Sequence, residues 1–239
     1  MTEVGMALGQ PLRPDSARIP GTVGSPFPTV RTRLLEAEAA DKIEESSAHG
    51  RAEVGVLAVA SPSVFDRYWN NPEATLKELY VDADGVRYFR TGDTVQVQYP
   101  PPDAKDTPPL FTIMGRTSVD IIKSNGNKLS ALEIEARMLL HGDIFYEVAV
   151  VGVAHAVKGE EVVAVVALHE AAARARAIVY DSRTNAFESD EINTELRTIV
   201  SDVLAPYKCP RRYICVHHIP RNDTGKVNKV ALKLLLNLR

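Results

Sequence analysis

The sequence is sparing with cysteine: its 239 residues hold two, Cys209 and Cys215, which make no CxxC pair and no metal-ligand spacing. Neither a disulfide framework nor a thiolate metal site is indicated, and both are read as reduced thiols of an intracellular protein. There is no surplus of either charge. Twenty-eight basic against thirty-one acidic residues leave a formal charge of −3, so no overall field recruits nucleic acid or an anionic membrane, and an anionic ligand must be met locally. No apolar run approaches the roughly 18 residues that a membrane span needs. No charged-then-apolar leader opens the chain, which is therefore expected to be soluble. The six histidines form no HExxH, and the adjacent His217 and His218 face opposite sides of a strand. No serine sits in G-x-S-x-G, so metalloprotease and serine-hydrolase chemistry are both poor readings.

What is present is ordinary globular composition, 45% hydrophobic and 25% charged, at a length that suits one large domain or two modest ones. The opening "MTEVGMALGQP" lacks a loose polar lead-in, which suggests a first residue internal to a larger domain. "RIPGTVGSPFP" at residues 18–28 reads as an ordered loop. Residues 30–36 and 54–60 read as strands, with residues 37–51 between them as a surface excursion. Residues 62–79 have helical phasing, with proline starts at Pro62 and Pro72. Residues 86–99 read as two strands broken at Thr91-Gly92-Asp93, and "PPPDAKDTPP" after them forbids regular structure. Residues 110–114 form another strand.

The second half reads as an α+β unit of about 120 residues, a usual domain size. Short strands are expected at residues 119–123 and 128–129. Ser130-Ala-Leu-Glu133 is a capping box opening a helix over residues 131–140. "FYEVAVVGV" and "EVVAVVALH" are valine-rich runs of the kind that strands covered on both faces show. Ser189 or Asp190 caps a helix to Leu204, a strand spans residues 212–217, and a last helix spans 229–237. Residues 171–187 have no clear period and read as a loop or partial helix. Gly115 to Asp120 is the expected domain boundary, dividing residues 1–115 from 116–239.

Two short motifs hold chemistry-bearing residues on turns. "RTGD" at residues 90–93 presents a carboxylate at a strand end, where it could accept two hydroxyl hydrogen bonds from a sugar, although taken alone a plain hairpin turn is the better reading. In "PRNDTGKVNK", Lys226 follows a tight Asn222–Gly225 turn. A P-loop would need glycine at Pro220 and Ser or Thr at Val227, so that motif fails, and the bland reading is a solvated lysine after a turn.

Order adds what each motif lacks alone. "MTE", "PGTVGSPFP", "FRTGD", "GRTSVDIIKSNGNKLSALEIE", "LAPYKCP" and "PRNDTGKVNK", in that sequence, resemble the later core motifs of the adenylate-forming (ANL) superfamily: acyl-CoA synthetases, luciferases and peptide-synthetase adenylation domains. Within it, "PSVFDRYWNNPEAT", "GRTSVDIIK" and "SALEIE" look most like the malonyl-CoA synthetase branch, the acyl-CoA synthetase family member 3 type. The resemblance implies an α+β chain, with residues 1–115 as the end of the large AMP-binding domain, a β-rich barrel-like subdomain, and residues 116–239 as the small lid domain. It implies an acid–thiol ligase that joins a carboxylate, malonate or another short acid, to AMP and then passes the acyl group to coenzyme A, with ATP, Mg2+ and coenzyme A as cofactors and cosubstrates. Thr2 matches a nucleotide-phosphate contact and Glu3 a magnesium ligand. Asp93 matches the acceptor of the ribose hydroxyls and Arg116 a second ribose contact. Lys226 matches the lysine that bridges carboxylate and α-phosphate in the first step. The lid then turns about a hinge within residues 117–120, placed by preference at Ser118, bringing Lys123 and Gly126 inward as a thioester face; the bland reading of this pair is a solvated strand lysine and a turn glycine.

The superfamily's phosphate loop and acyl pocket have no counterpart in residues 1–239, so the resemblance implies a C-terminal part that is inactive alone, prone to aggregate, and partnered by the missing N-terminal part. No nucleic-acid partner and no membrane span are expected, and the compartment is mitochondrial matrix or cytoplasm. Two rival readings stay open: an adenylation domain loading a carrier protein, and a non-catalytic lid-like module that binds nucleotide or a protein partner.

Overall fold

A computed structural model describes residues 1–14, 17–35, 52–104 and 107–238. The residues fall into two compact units, Met1–Thr117 and Ser118–Arg239. Among the described residues no helix is long and apolar enough to cross a membrane.

Unit 1 is built on an antiparallel sheet of β3 (Arg31–Leu35), β4 (Ala52–Ala60), β5 (Leu79–Val81), β6 (Arg87–Gln98) and β7 (Leu110–Arg116). β4 and β6 lie side by side, β3 flanks β4, and β5 and β7 share the far edge of β6. Among the described residues the sheet is open rather than closed into a barrel. A small ribbon of β1 (Leu8–Gly9) and β2 (Ser25–Pro26) joins it where Gly24 bridges Phe111. Val4, Leu57, Val59, Phe89, Val95, Val97 and Phe111 form its core. The expected excursion at residues 37–51 lies outside the described residues, as does Glu36.

Two expectations for this unit are corrected. Helix α1 is only Pro72–Glu78, capped by Asn71, whose side chain accepts from Ala74 N. Residues 62–71 form turns instead, because Phe65 N donates to Glu3 O and the Phe65 ring packs against Tyr68 and Phe89, so tertiary packing overrides the helical phasing. The second correction concerns "RTGD", which neither ends a strand nor turns a hairpin. β6 runs through it as one strand carrying a bulge: Thr94 pairs with Val56 and Arg90 with Ala58, leaving three residues opposite one. On the other edge the partner changes from β5 to β7 at the same place.

Unit 2 holds a six-stranded sheet with β8 (Ile121–Ser124), β9 (Asn127–Ser130), β10 (Phe145–His155), β11 (Gly159–Leu168), β12 (Ala186–Phe187) and β13 (Arg212–Val216). β10 and β11 form a long hairpin, and β13 lies parallel to β11 on its other side. Helices α2 (Ala131–Met138), α3 (Glu170–Ala175) and α4 (Asp190–Val200) contribute to the layer on one face. α5 (Lys229–Leu235) contributes Leu232 to the layer on the other. The valine-rich runs are covered on both faces as their composition implies: Val150, Val162, Ala164 and Val166 face the first layer, and Val151, Val163 and Val165 the second. Ser130 caps α2 by accepting from Glu133 N, and Ser189 caps α4 by accepting from Ile192 N. α4 stops at Val200, four residues short of the expected Leu204, although Leu204 N still donates to Val200 O through a closing turn.

Candidate functional site

In unit 1 the bulge aims the candidate carboxylate. Gly92 at φ 72° lets the strand kink there, and a Cβ on it would meet Arg116 Nη1 at 3.1 Å. Thr91, buried, donates its hydroxyl to Leu57 O at 2.8 Å and accepts from Asp93 N at 3.1 Å. The ladder sets Asp93 opposite Arg116, and the two side chains approach to 3.4 Å with the aspartate 17% exposed. Arg116 Nη1 also donates to Thr91 O, while Thr117 donates both its N–H and its hydroxyl to Gly92 O at 2.9 and 3.0 Å. Asp93 and Arg116, 23 positions apart in the sequence, are thus presented as one carboxylate and one guanidinium on adjacent strands.

Thr2 and Glu3 lie in a turn closed by Gly5 N donating to Met1 O, and pinned by Val4 in the core. Thr2 is exposed. Glu3 accepts a 3.2 Å hydrogen bond from the Tyr68 hydroxyl. Burial, and then the charge of Glu3, raise the Tyr68 pKa, and Arg116 opposes them, so glutamate, phenol and guanidinium share one electrostatic neighbourhood. Tyr68 was not among the sequence candidates; its only signal is an aromatic beside Trp69 in a stretch that reads as helix. Glu3 offers the oxygen chemistry that Mg2+ takes, with phosphate oxygens as its natural complement. Among the described residues no group of three His, Cys, Asp or Glu side chains could hold a metal on its own.

In unit 2 Lys226 stands on a braced loop. Asn222 Oδ1 accepts from Thr224 N, the Thr224 hydroxyl and Lys226 N, and Asn222 N donates to Lys226 O at 2.9 Å. Arg221 donates to Gly225 O at 3.0 Å and pairs with Glu147 at 2.7 Å, and Glu147 also accepts from Ile219 N. Desolvation would raise the Glu147 pKa, but the Ile219 N–H and the Arg221 guanidinium outweigh it and hold the carboxyl below the usual glutamate value. The Lys226 residue itself is exposed, and among the described residues no ion pair engages its ammonium.

Lys123 and Gly126 lie elsewhere in the unit, on the β8–β9 hairpin, whose Asn125 and Gly126 have φ of 50° and 78°, a type I′ turn. Lys123 is exposed and its N–H donates to Glu160 at 2.7 Å. Ser118 is exposed in the turn that opens the unit.

The sequence reading also missed a buried cluster. Lys229 Nζ lies 2.7 Å from both Asp120 Oδ1 and Glu135 Oε1, with the three side chains 7%, 13% and 15% exposed. Desolvation raises the Glu135 pKa against the lowering pull of Lys229 and of the Val150 N–H. A lysine at the first position of a helix gives no sequence signal of burial.

Comparison with known proteins adds the following. Residues 133–226 match the AMP-binding enzyme C-terminal domain. The mitochondrial malonate–CoA ligase ACSF3 of Mus musculus is 38% identical over an alignment taking in 97% of this chain and 36% of that protein. A malonate–CoA ligase of Arabidopsis thaliana is 41% identical, covering 98% of this chain and 33% of its own length. Among solved structures, ATP-bound MatB from Rhodopseudomonas palustris superposes with a TM-score of 0.67 at 29% identity, covering 98% of this chain and 39% of that one. The chain spans about a third of the length of the curated relatives it matches.

Proposed function

We propose that this chain, whose residues 133–226 match the AMP-binding enzyme C-terminal domain, contributes the later part of the reaction centre of an ATP-dependent acyl-CoA synthetase acting on malonate or a similar short carboxylate. Residues 1–115 are then the end of the large AMP-binding domain and residues 116–239 the lid. The malonate–CoA ligases among its relatives support the substrate class, and the relatives named as mitochondrial favour a mitochondrial over a cytoplasmic location.

The observation that carries the reading is Lys226, an exposed ammonium on a loop held stiff by Asn222 and by the Arg221–Glu147 pair. A pre-positioned cation without a resident counter-ion can meet a carboxylate and an α-phosphate together as charge moves between them. It leaves with the lid when the thiol enters. Asp93, braced by the bulge, accepts from the ribose hydroxyls, and Arg116 beside it approaches the same sugar. Thr2 contacts phosphate. Glu3 would hold Mg2+, which when bound would neutralise phosphate charge. Lys123 and Gly126 line the thioester side, with Ser118 as the pivot. The phosphate loop and the acyl pocket come from sequence other than these 239 residues, and that N-terminal portion is the expected partner.

The test joins this chain to the N-terminal two thirds of a malonate–CoA ligase and separates the half-reactions. Lys226→Ala should lower malonyl-adenylate formation by about 10²-fold or more, as loss of a charge-stabilising donor does, and should spare thioester formation from preformed adenylate. Equal loss of both half-reactions overturns the role given to Lys226. Loading of a phosphopantetheinyl carrier in preference to coenzyme A would move the protein to the carrier-loading class.

A further inference from the structure

The buried cluster of Asp120, Glu135 and Lys229 ties together parts of unit 2 that are far apart in sequence. Asp120 stands three residues beyond Thr117, the last residue of unit 1, and its backbone oxygen accepts from Ala131 N at the start of α2 at 2.8 Å. Glu135 lies within α2 and takes Val150 N of β10 at 2.8 Å. Lys229 opens α5, three residues after Lys226, and Asn228 caps that helix by accepting from Ala231 N. One ammonium therefore joins the boundary segment, a helix, the central hairpin and the base of the Lys226 loop.

The two carboxyl groups and the ammonium meet where little solvent reaches. Such an arrangement is a poor way to gain stability, since apolar residues of the same volume usually hold as well or better, and it suits fixing one geometry among several. At the other end of the loop a second glutamate, Glu147 of β10, grips Ile219 N and Arg221. The loop is thus anchored on both sides to the same hairpin, directly through Glu147 and through Glu135 and Lys229.

We infer that Lys229 is a positioning residue: by gripping Asp120 and Glu135 together it fixes the start of unit 2 and the base of the Lys226 loop to one rigid frame. Any pivot between the units then lies within residues 117–119, and unit 2 carries Lys226 without slack when it reorients. The functional weight of this inference rests on the reading of Lys226 given above. The mechanical claim does not.

The test is amide hydrogen exchange on the 239-residue chain, which involves no catalysis, so its failure and that of the adenylation reading are separately visible. In Lys229→Met the amides of Asn222, Gly225 and Lys226 should exchange at least about tenfold faster, in step with those of residues 120–122, because a broken buried pair opens its surroundings. Val163 and Val165 of the central strand should stay protected, and Lys229→Arg, which can still bridge two carboxylates, should restore the slow rates. A neutral triple variant, Asp120→Asn with Glu135→Gln and Lys229→Met, should melt as high as the parent yet keep the fast loop. It serves the same comparison if Lys229→Met alone does not fold. Unchanged loop and boundary exchange, equal acceleration throughout the core, or parent-like protection in the triple variant would each overturn the inference.

Discussion

Gly92 sits at φ 72° in the bulge that aims Asp93, and a methyl there would meet Arg116. Gly92→Ala should therefore cost about 1–2 kcal/mol in left-handed strain and push the guanidinium from the carboxylate, measured as a lower urea midpoint and a shifted Arg116 side-chain NMR signal. Glu147 supplies a pH handle on the loop. Its carboxyl titrates below the ordinary glutamate value, so the stability it contributes is complete above an unfolded pKa of about 4.3 and is lost as pH falls through the lower folded value. Glu147→Gln should accordingly be less stable than the parent at pH 7, and the gap should close below about pH 4; denaturant titrations across that range read it directly. At this scale the sequence was partly legible. Asp93, Lys226 and the Asn222 turn are local patterns, whereas Tyr68 and Lys229 owe their surroundings to residues 65 and 109 positions away, which no local pattern records.

At the scale of elements, the strands and caps of unit 2 were legible because each depends on its own neighbourhood: valine-rich runs for β10 and β11, Ser130 and Ser189 for α2 and α4. The helix expected from Pro62 failed for the opposite reason, since Phe65 answers to Phe89 and Glu3 across the fold. The single strand through "RTGD" was hidden likewise, because the partners that keep it extended, β4, β5 and β7, are set by tertiary pairing. α2 docks through Ile134 and Met138, both fully buried. Ile134→Ala should cost about 2–5 kcal/mol, measured by chemical denaturation, whereas a change at the exposed Leu132 should cost little.

At the scale of the molecule, each apolar core is made from residues of its own unit. Residues 118–239 expressed alone should fold to a cooperative unit with its sheet covered on both faces, recognisable by a single sharp thermal transition in circular dichroism. A broad, non-cooperative melt would refute that independence. The units meet at Thr117 and Ser118, two residues past the end of the first segment in the sequence reading, because Thr117 is still held by Gly92 O and by the Thr94 hydroxyl.

The central hairpin of unit 2 has a further consequence for how the chain finds its register. A strand with one oily face reports a one-residue slip at once, by turning that face to water. β10 and β11 are apolar on both faces, so a slipped pairing would bury nearly as much hydrocarbon as the correct one. Part of the information that rejects the slip lies at the closed end, where His155 Nδ1 accepts from Val157 N and Lys158 N and His155 stands opposite Gly159. A three-residue loop thereby acts as the zero mark from which twenty residues of sheet are counted.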